Sequence, residues 1–336
     1  MKALLIGGTG TISTSVAALA RERGWEVTLL NRGTRPAPQG MASITADIRD
    51  EQAAAQALKG KYFDVTAQFI GYGAEDAARD IRLFQEKTSQ YIFISSASAY
   101  QKPPAGYPIT ESTPLKNPYW AYSQRKIQAE EVLMEAYREK GFPVTIVRPS
   151  HTYDQRKVPV AIHGDKGNWQ VLQRILEGKP VILPGDGTSL WTLTHARDFA
   201  KGYVGLMGNP HALGNAYHIT SDETMTWNQI YGTLASALGK NLNPLHVPSR
   251  LLGVWGRQYD MEGQLLGDKA NTVIFDNTKI KREVPDFVCT TSMAEGIREA
   301  AEYMMSHREC QVLDEAFDQW CDRVCAAMEA AEAVFR

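Results

Sequence analysis

Between residues 1 and 150, short apolar or β-branched runs alternate with longer stretches whose apolar residues recur every three to four positions. Lys2–Ile6, Glu26–Leu30, Ala42–Ala46, Asp64–Ile70, Gln90–Ser95 and Val144–Val147 have the length and branching of strands. Ile12–Arg23, Glu51–Leu58, Ala74–Lys87 and Trp120–Lys140 carry the helical period. The strand runs do not alternate cleanly between apolar and polar, which is the pattern of strands covered on both faces. Strand and helix in alternation, with short connections, predict crossover units and a doubly wound parallel sheet of the α/β class.

After about residue 150 the rhythm loosens. Pro159, Gly164, Gly167, Pro180, Pro184, Gly185 and Gly187 cut the chain into short pieces. Helical patches recur at Trp169–Leu176, Asp198–Leu206 and Trp227–Leu238, and a tail from Ser292 to Phe335 is helical with one break. This predicts a dinucleotide-type domain over residues 1–155, completed by parts of 190–220. A smaller mixed α/β substrate domain with a helical C-terminal tail follows over 156–336.

Composition narrows the partners. Among 336 residues, 36 Lys and Arg face 38 Asp and Glu, a formal net charge of −2. No basic face stands out, so a nucleic-acid partner is not expected. No apolar run approaches the ~20 residues of a membrane span. The first strand begins at Lys2 with no leader pattern before it, so a cytoplasmic location is expected. Cys289, Cys310, Cys321 and Cys325 form no C-x-x-C pair and read as small hydrophobes in a reducing compartment, with no metal site.

Gly7-Gly8-Thr9-Gly10-Thr11-Ile12-Ser13 follows the first strand and opens the first helix. Glycines allow a tight turn and close approach to a pyrophosphate, and the free N–H groups of the helix start point at that anion. Gly7, Thr9, Gly10, Thr11 and Ile12 are therefore expected to bind a dinucleotide in a Rossmann arrangement. Ser13 stands at the third glycine position, where it is expected to loosen helix–strand packing. The second strand ends in Asn31-Arg32-Gly33-Thr34-Arg35, with no carboxylate to take a ribose 2′-hydroxyl or repel a 2′-phosphate. Asn31, Arg32 and Arg35 thus favour NADP over NAD, against the plainer reading of solvated loop arginines. Asp47 and Ile48 end the third strand, where a carboxylate reaches the adenine amino group or serves as turn chemistry.

Tyr122 and Lys126 lie four apart on a helix and share a face. A phenol of pKa ~10 is a poor base at neutral pH; an ammonium one turn away favours its ionised form. Ser96, just past the strand Ile92-Phe93-Ile94, is placed to hydrogen-bond the reacting oxygen. Tyr122, Ser96 and Lys126 together point to acid/base work on a hydroxyl or carbonyl.

These pieces together resemble an extended short-chain dehydrogenase/reductase of the NAD-dependent epimerase/dehydratase family. The glycine loop, Ser95-Ser96-Ala97-Ser98-Ala99-Tyr100, Glu111, Tyr122 with Lys126, Arg148-Pro149, Glu177-Gly178-Lys179-Pro180, Gly185-Asp186-Gly187 and Asp198-Phe199-Ala200 carry the resemblance, in order, over residues 1 to 245. It implies catalytic roles for Ser96, Tyr122 and Lys126, with Gly71, Ser95 and Pro149 also bordering the cofactor. It implies a homodimer through Ala74–Lys87 and the helix of Tyr122. It implies a small-molecule substrate, such as a sugar or sugar nucleotide, touched by Ser96, Ser98, His151 and Trp191.

Two substitutions set the chain apart. His151 stands where sugar-nucleotide members usually have Asn, and Trp191 where the family tends to place an Arg for the diphosphate; the indole there reads as stacking on a ligand ring or as core. Ala97-Ser98 stands where dehydratases carry an acidic pair, which disfavours dehydration and leaves epimerase or oxidoreductase. His195 reads as packing at the domain junction, Asp198 as a helix N-cap, and Tyr153 and Trp120 as pocket wall or core. An alternative is a non-catalytic or RNA-associated relative. Asn31-Arg32-Gly33 is similar to chloroplast stem-loop RNA-binding proteins, but the charge of −2 and the retained Ser96, Tyr122 and Lys126 weigh against it.

Overall fold

The computed structural model describes residues 1–34, 38 and 40–336. Its strands are β1 (Lys2–Ile6), β2 (Glu26–Asn31), β3 (Ala42–Thr45), β4 (Phe63–Gln68), β5 (Thr88–Ile94), β6 (Val144–Pro149), β7 (His151–Tyr153), β8 (Val181–Pro184), β9 (Leu190–Trp191), β10 (Leu193–His195), β11 (Ala216–Ile219), β12 (Met225–Thr226) and β13 (Pro244–Val247). Seven of them form one sheet in the order β11-β6-β5-β4-β1-β2-β3, every pair parallel. The order reverses between β1 and β4, and a crevice opens there at the carboxyl ends, where open α/β sheets bind ligands.

The helices are α1 (Thr11–Glu22), α2 (Glu51–Ala57), α3 (Ala74–Phe84), α4 (Ala121–Lys140), α5 (Trp169–Leu176), α6 (Ala196–Leu206), α7 (Trp227–Ala237), α8 (Ser249–Trp255), α9 (Met261–Gln264), α10 (Thr278–Glu283), α11 (Met293–Ser306) and α12 (Glu315–Ala333). On one face of the sheet, Leu5, Leu29, Val65 and Ile92 pack with Val16 and Ala20 of α1 and Phe199 and Tyr203 of α6. On the other, Leu4, Leu30, Tyr91 and Phe93 pack with Ala77 and Phe84 of α3 and Ala129 and Leu133 of α4. Successive strand residues serve opposite buried faces, which is why the runs read as apolar throughout. A third core joins Trp169 and Leu172 of α5, Trp227 and Tyr231 of α7, Ile297 of α11 and Trp320 of α12. No described helix is long and apolar enough to cross a membrane.

A buried polar network ties the sheet to the second half of the chain. The Arg148 guanidinium forks onto Glu130 of α4, with Nη2 to Oε2 at 2.6 Å and Nε to Oε1 at 3.0 Å. The Ser95 hydroxyl donates to the same carboxylate. Arg148 lies over the Tyr100 ring at 4.9 Å. The Tyr100 hydroxyl meets Nδ1 of His218 at 3.1 Å, and Nε2 of His218 meets the Asp276 carbonyl at 2.7 Å. Glu111 accepts from the His218 backbone at 3.2 Å. Glu111 and Arg148, two residues of the resemblance, are thus framework here.

Two expectations change. Ser13 does not loosen its turn: its hydroxyl donates to the Gly7 carbonyl and accepts from Gly10 N–H, both at 2.8 Å, and so pins the loop. Asp198 is not an N-cap, because α6 starts earlier and His195 caps it by accepting from Arg197 N–H at 3.2 Å. The Asp198 carboxylate instead receives Lys201 Nζ at 2.6 Å and the backbone of Thr290 and Thr291. Those bonds hold its pKa below the usual value even though burial alone pushes it up.

Glu130→Ala leaves the buried Arg148 without its counter-charge. We expect a loss of about 3–5 kcal/mol in urea unfolding, against a smaller loss for Glu130→Gln, which keeps an acceptor. Equal stability of Glu130→Ala and the parent would contradict this role.

Candidate active site

The loop after β1 is built from glycines for steric reasons. Gly7 has φ +80°, and a Cβ there would come within 2.4 Å of Ile70 Cγ2. A Cβ on Gly8 would meet Leu29 Cδ2 at 2.6 Å. Gly10 begins α1 with no side-chain cap, so the first N–H groups of the helix are free to meet an anion. Beside this loop lies a cavity of about 280 Å³, lined by Gly7, Thr9, Gly10, Asn31, Arg32, Thr34, Asp47, Ile48, Arg49 and Tyr72.

Asn31 gives that cavity a specific demand. Its Oδ1 accepts from Gly33 N–H at 2.9 Å, while its Nδ2 is buried with no partner among the described residues. An unsatisfied buried donor costs about 1–3 kcal/mol, so the site fits a ligand that brings an acceptor, such as a ribose or phosphate oxygen. The glycine loop, the free helix start and this orphaned amide together suit a dinucleotide. Arg35 lies outside the described residues. Arg49 and Thr34 reach the cavity without having been marked by any motif.

A second, larger cavity of about 520 Å³ lies between the carboxyl edge of the sheet and the second half of the chain. Thr11, Ser96, Ser98, Tyr122, Pro149, His151 and Trp191 all line it. Thr11 directly follows Gly10 of the smaller cavity. Tyr72 lines that smaller cavity and faces Tyr122 with ring centroids 6.4 Å apart. The two spaces therefore meet at the loop and at this pair of rings.

Tyr122 sits in the first turn of α4, against Trp120 at 4.8 Å. Asn117 sets that turn: its Oδ1 accepts from Tyr119 and Trp120 N–H, and its Nδ2 donates to the carbonyls of Ser98 and Gly267 at 2.8 and 2.7 Å. Ser123 donates to Ser98 at 2.7 Å, and Ser98 shares a 2.8 Å bond with Ser96. Ser96 Oγ also accepts from Ser98 N–H at 3.2 Å, so these bonds together hold the Ser96 hydroxyl in place. Burial pushes the Tyr122 phenol up to about 12, and a hydrogen bond from Ser96 opposes the rise.

Lys126 behaves differently from the sequence expectation. Its Nζ donates to the carbonyls of Gly71 and Ile94, at 2.6 and 2.7 Å, past the ends of β4 and β5. It lies 5.7 Å from the Tyr122 ring centre. Burial pushes this ammonium down to about 7, with Glu130 opposing. Burial is the largest influence on both groups, raising the phenol and lowering the ammonium.

The remaining expected residues divide. Ser95 turns its hydroxyl to Glu130 and away from both cavities, Gly71 serves through its carbonyl, and Ile12 packs against the sheet core. Trp191 is 1% exposed and stacks on Trp227 at 5.1 Å, so it backs the cavity wall as core. Its indole N–H donates to Nδ1 of His151 at 3.1 Å, which leaves the His151 proton on Nε2. Burial pushes His151 down to about 3, and its ring is neutral. His195 lies off the cavity, edge-on to Tyr153 at 5.3 Å. Tyr153 and Trp120 both line it. Sequence reasoning missed His163, Asp268 and Lys269, which line it as well. Asp268 and Lys269 end an apolar stretch, Leu265-Leu266-Gly267, and that abrupt charged pair was the available signal. Among the described residues, no group of three or more His, Cys, Asp or Glu is arranged to hold a metal ion.

Known proteins share this layout. The chain is 24% identical over 293 residues to 2'-dehydrokanamycin reductase from Streptomyces kanamyceticus, covering 85% of this chain and 80% of that protein. It is 24% identical over 253 residues to the chloroplast stem-loop binding protein of 41 kDa b from Arabidopsis thaliana, covering 71% of this chain and 63% of that protein. The structure of UDP-glucose 4-epimerase from Bifidobacterium longum in complex with NAD+ and UDP matches with a TM-score of 0.72 at 18% identity, over 92% of this chain and 100% of that one. At that identity the likeness carries the fold alone. A model of the NAD dependent epimerase/dehydratase family matches residues 3–220, a span that holds the glycine loop, Ser96, Tyr122 and Lys126, and the chain belongs to that family.

Proposed function

We propose that this protein is an oxidoreductase that prefers NADP and acts on a carbonyl or hydroxyl carbon of a small molecule, with Tyr122 as the acid/base. The observation that carries this reading is the shared wall: Tyr122 and Ser96 face a cavity that reaches Thr11 at the helix start beside the glycine loop. A bound nicotinamide supplies or accepts the hydride. Tyr122, protonated at neutral pH because it is desolvated, delivers its proton to the substrate oxygen as negative charge develops there. Ser96, oriented through Ser98 and Ser123, holds that oxygen for the transfer. Lys126 positions Tyr122 by anchoring α4 to the strand ends. A phenol that holds its proton suits the direction of reduction.

The cavity fits a compact substrate better than a sugar nucleotide. Among the described residues no arginine lines it to fork onto a diphosphate, and Trp191 packs as core in its wall. The relative named as a reductase supports simple reduction over epimerisation. For the cofactor, Arg32, Thr34 and Arg49 line the same cavity as the orphaned Asn31 amide, with Asp47 4.0 Å from Arg49, and no carboxylate ends β2. That arrangement favours a 2′-phosphate. The likeness to a stem-loop binding protein favours a second reading, RNA association, which the net charge of −2 opposes.

Three variants test this. Tyr122→Phe is expected to lower the rate of NADPH oxidation with a reducible ketone by about 10²–10⁴-fold, while NADPH affinity, read by fluorescence titration, stays within about twofold. Retained turnover would remove Tyr122 from the chemistry. Arg32→Ala and Arg49→Ala are each expected to weaken NADPH roughly tenfold and leave NADH unchanged. Equal binding of the two nucleotides by the parent protein would overturn the NADP assignment.

A further inference from the structure

We propose that Lys269, together with the His151 imidazole, recognises a carboxylate on the substrate, so that the substrate class is a small hydroxylated acid. This rests on the cavity being the substrate site. Lys269 ends a π-turn over Leu265–Lys269, a widened turn that re-aims side chains and recurs at functional sites. The turn is held by Asn117, which donates to the Gly267 carbonyl. A Cβ on Gly267 would come within 2.8 Å of Trp120, so only glycine lets the turn sit this close.

Lys269 is 9% exposed and lines the cavity. Its Nζ donates to the Ala161 carbonyl at 2.9 Å and to Gln264 Oε1 at 3.2 Å. An ammonium has three protons, and the third has no acceptor among the described residues. The neighbouring carboxylate, Asp268, is 3.5 Å from Nζ of Lys102, a buried ammonium with no hydrogen bond of its own. One carboxylate thus serves two buried ammoniums; the other charged lining residues, Lys157 and Asp165, are exposed and of opposite sign, so the buried part of the wall keeps an unmatched positive charge. Burial pushes Lys269 down to about 8, and Asp268 opposes this only in part.

The two imidazoles beside it add no charge but fix donors and acceptors. Trp191 holds His151 with its proton on Nε2, a donor. His163 shares a 2.8 Å bond between Nδ1 and the Gly164 carbonyl, which places its proton on Nδ1 and leaves Nε2 as an acceptor. Burial pushes His163 down to about 4, so it is neutral as well. An ammonium and an imidazole N–H suit the two oxygens of a carboxylate. The free lone pair of His163 suits a hydroxyl on the same molecule. One unmatched charge and no arginine in the lining select a monoanion over a phosphate ester.

The test uses the NADPH-bound protein and matched probes: D-galacturonate against D-galactose, D-glucuronate against D-glucose, and aromatic 2-oxo acids against their amides, each measured by calorimetry. At least one acid is expected to bind ten times or more tighter than its neutral partner. Lys269→Met is expected to remove that preference, weakening the acid about 10- to 100-fold and leaving NADPH and neutral ligands unchanged. The comparison within the parent protein stands even if the variant does not fold. The proposal falls if no acid in the panel outbinds its neutral partner, or if Lys269→Met keeps the preference. An acid preference that survives in a protein showing no hydride transfer would keep this site and sink the proposed reaction. Turnover of neutral ketones with no acid preference would do the reverse.

Discussion

The site depends on one buried ammonium. Lys126 is 2% exposed, and its two carbonyl partners follow different strands, β4 and β5. An ammonium taken out of water needs such partners, since each lost hydrogen bond costs about 1–3 kcal/mol. The tether fixes the rotation of α4 about its own axis. Tyr122, one turn earlier on the same face, is thereby held at the carboxyl edge of the sheet. Glu130, one turn later, is held where it meets Arg148 and Ser95. One helix face, spaced by fours, links the Tyr122 phenol, Lys126 and the framework ion pair.

Desolvation then sets the chemistry. Burial raises the phenol and lowers the lysine. It also keeps His151 and His163 neutral, so the wall reads as fixed donors and acceptors rather than as a diffuse positive patch. In this setting a single uncompensated charge such as Lys269 carries far more weight than one on the surface.

The sheet was legible because its signal is dense: the inner strands bury both faces, and helices recur between them. The nucleotide loop was legible because phosphate binding fixes glycines at short spacing. Tyr122, Lys126 and Ser96 were legible as a family pattern. The reverse side of the cavity was not. His163 comes from an irregular segment between β7 and α5, and Asp268 and Lys269 from a π-turn more than a hundred residues after Tyr122, and no local period marks them. Trp191 shows the same limit: its aromatic type fitted stacking on a ligand or packing in a core, and its stack on Trp227 settles it as core. Ser13 and Asp198 misled because their types suit several local bonds, and only the fold selects among them.

The central claim is that one dinucleotide joins the two cavities and presents its reactive ring to Tyr122. A crystal structure of the protein with NADP tests it most directly. The account requires the adenosine 2′-phosphate beside Asn31 and Arg32, the pyrophosphate on the loop from Gly7 to Thr11, and the nicotinamide beside Tyr122 and Ser96. A nucleotide bound elsewhere, or a nicotinamide turned away from the Tyr122 hydroxyl, would contradict it.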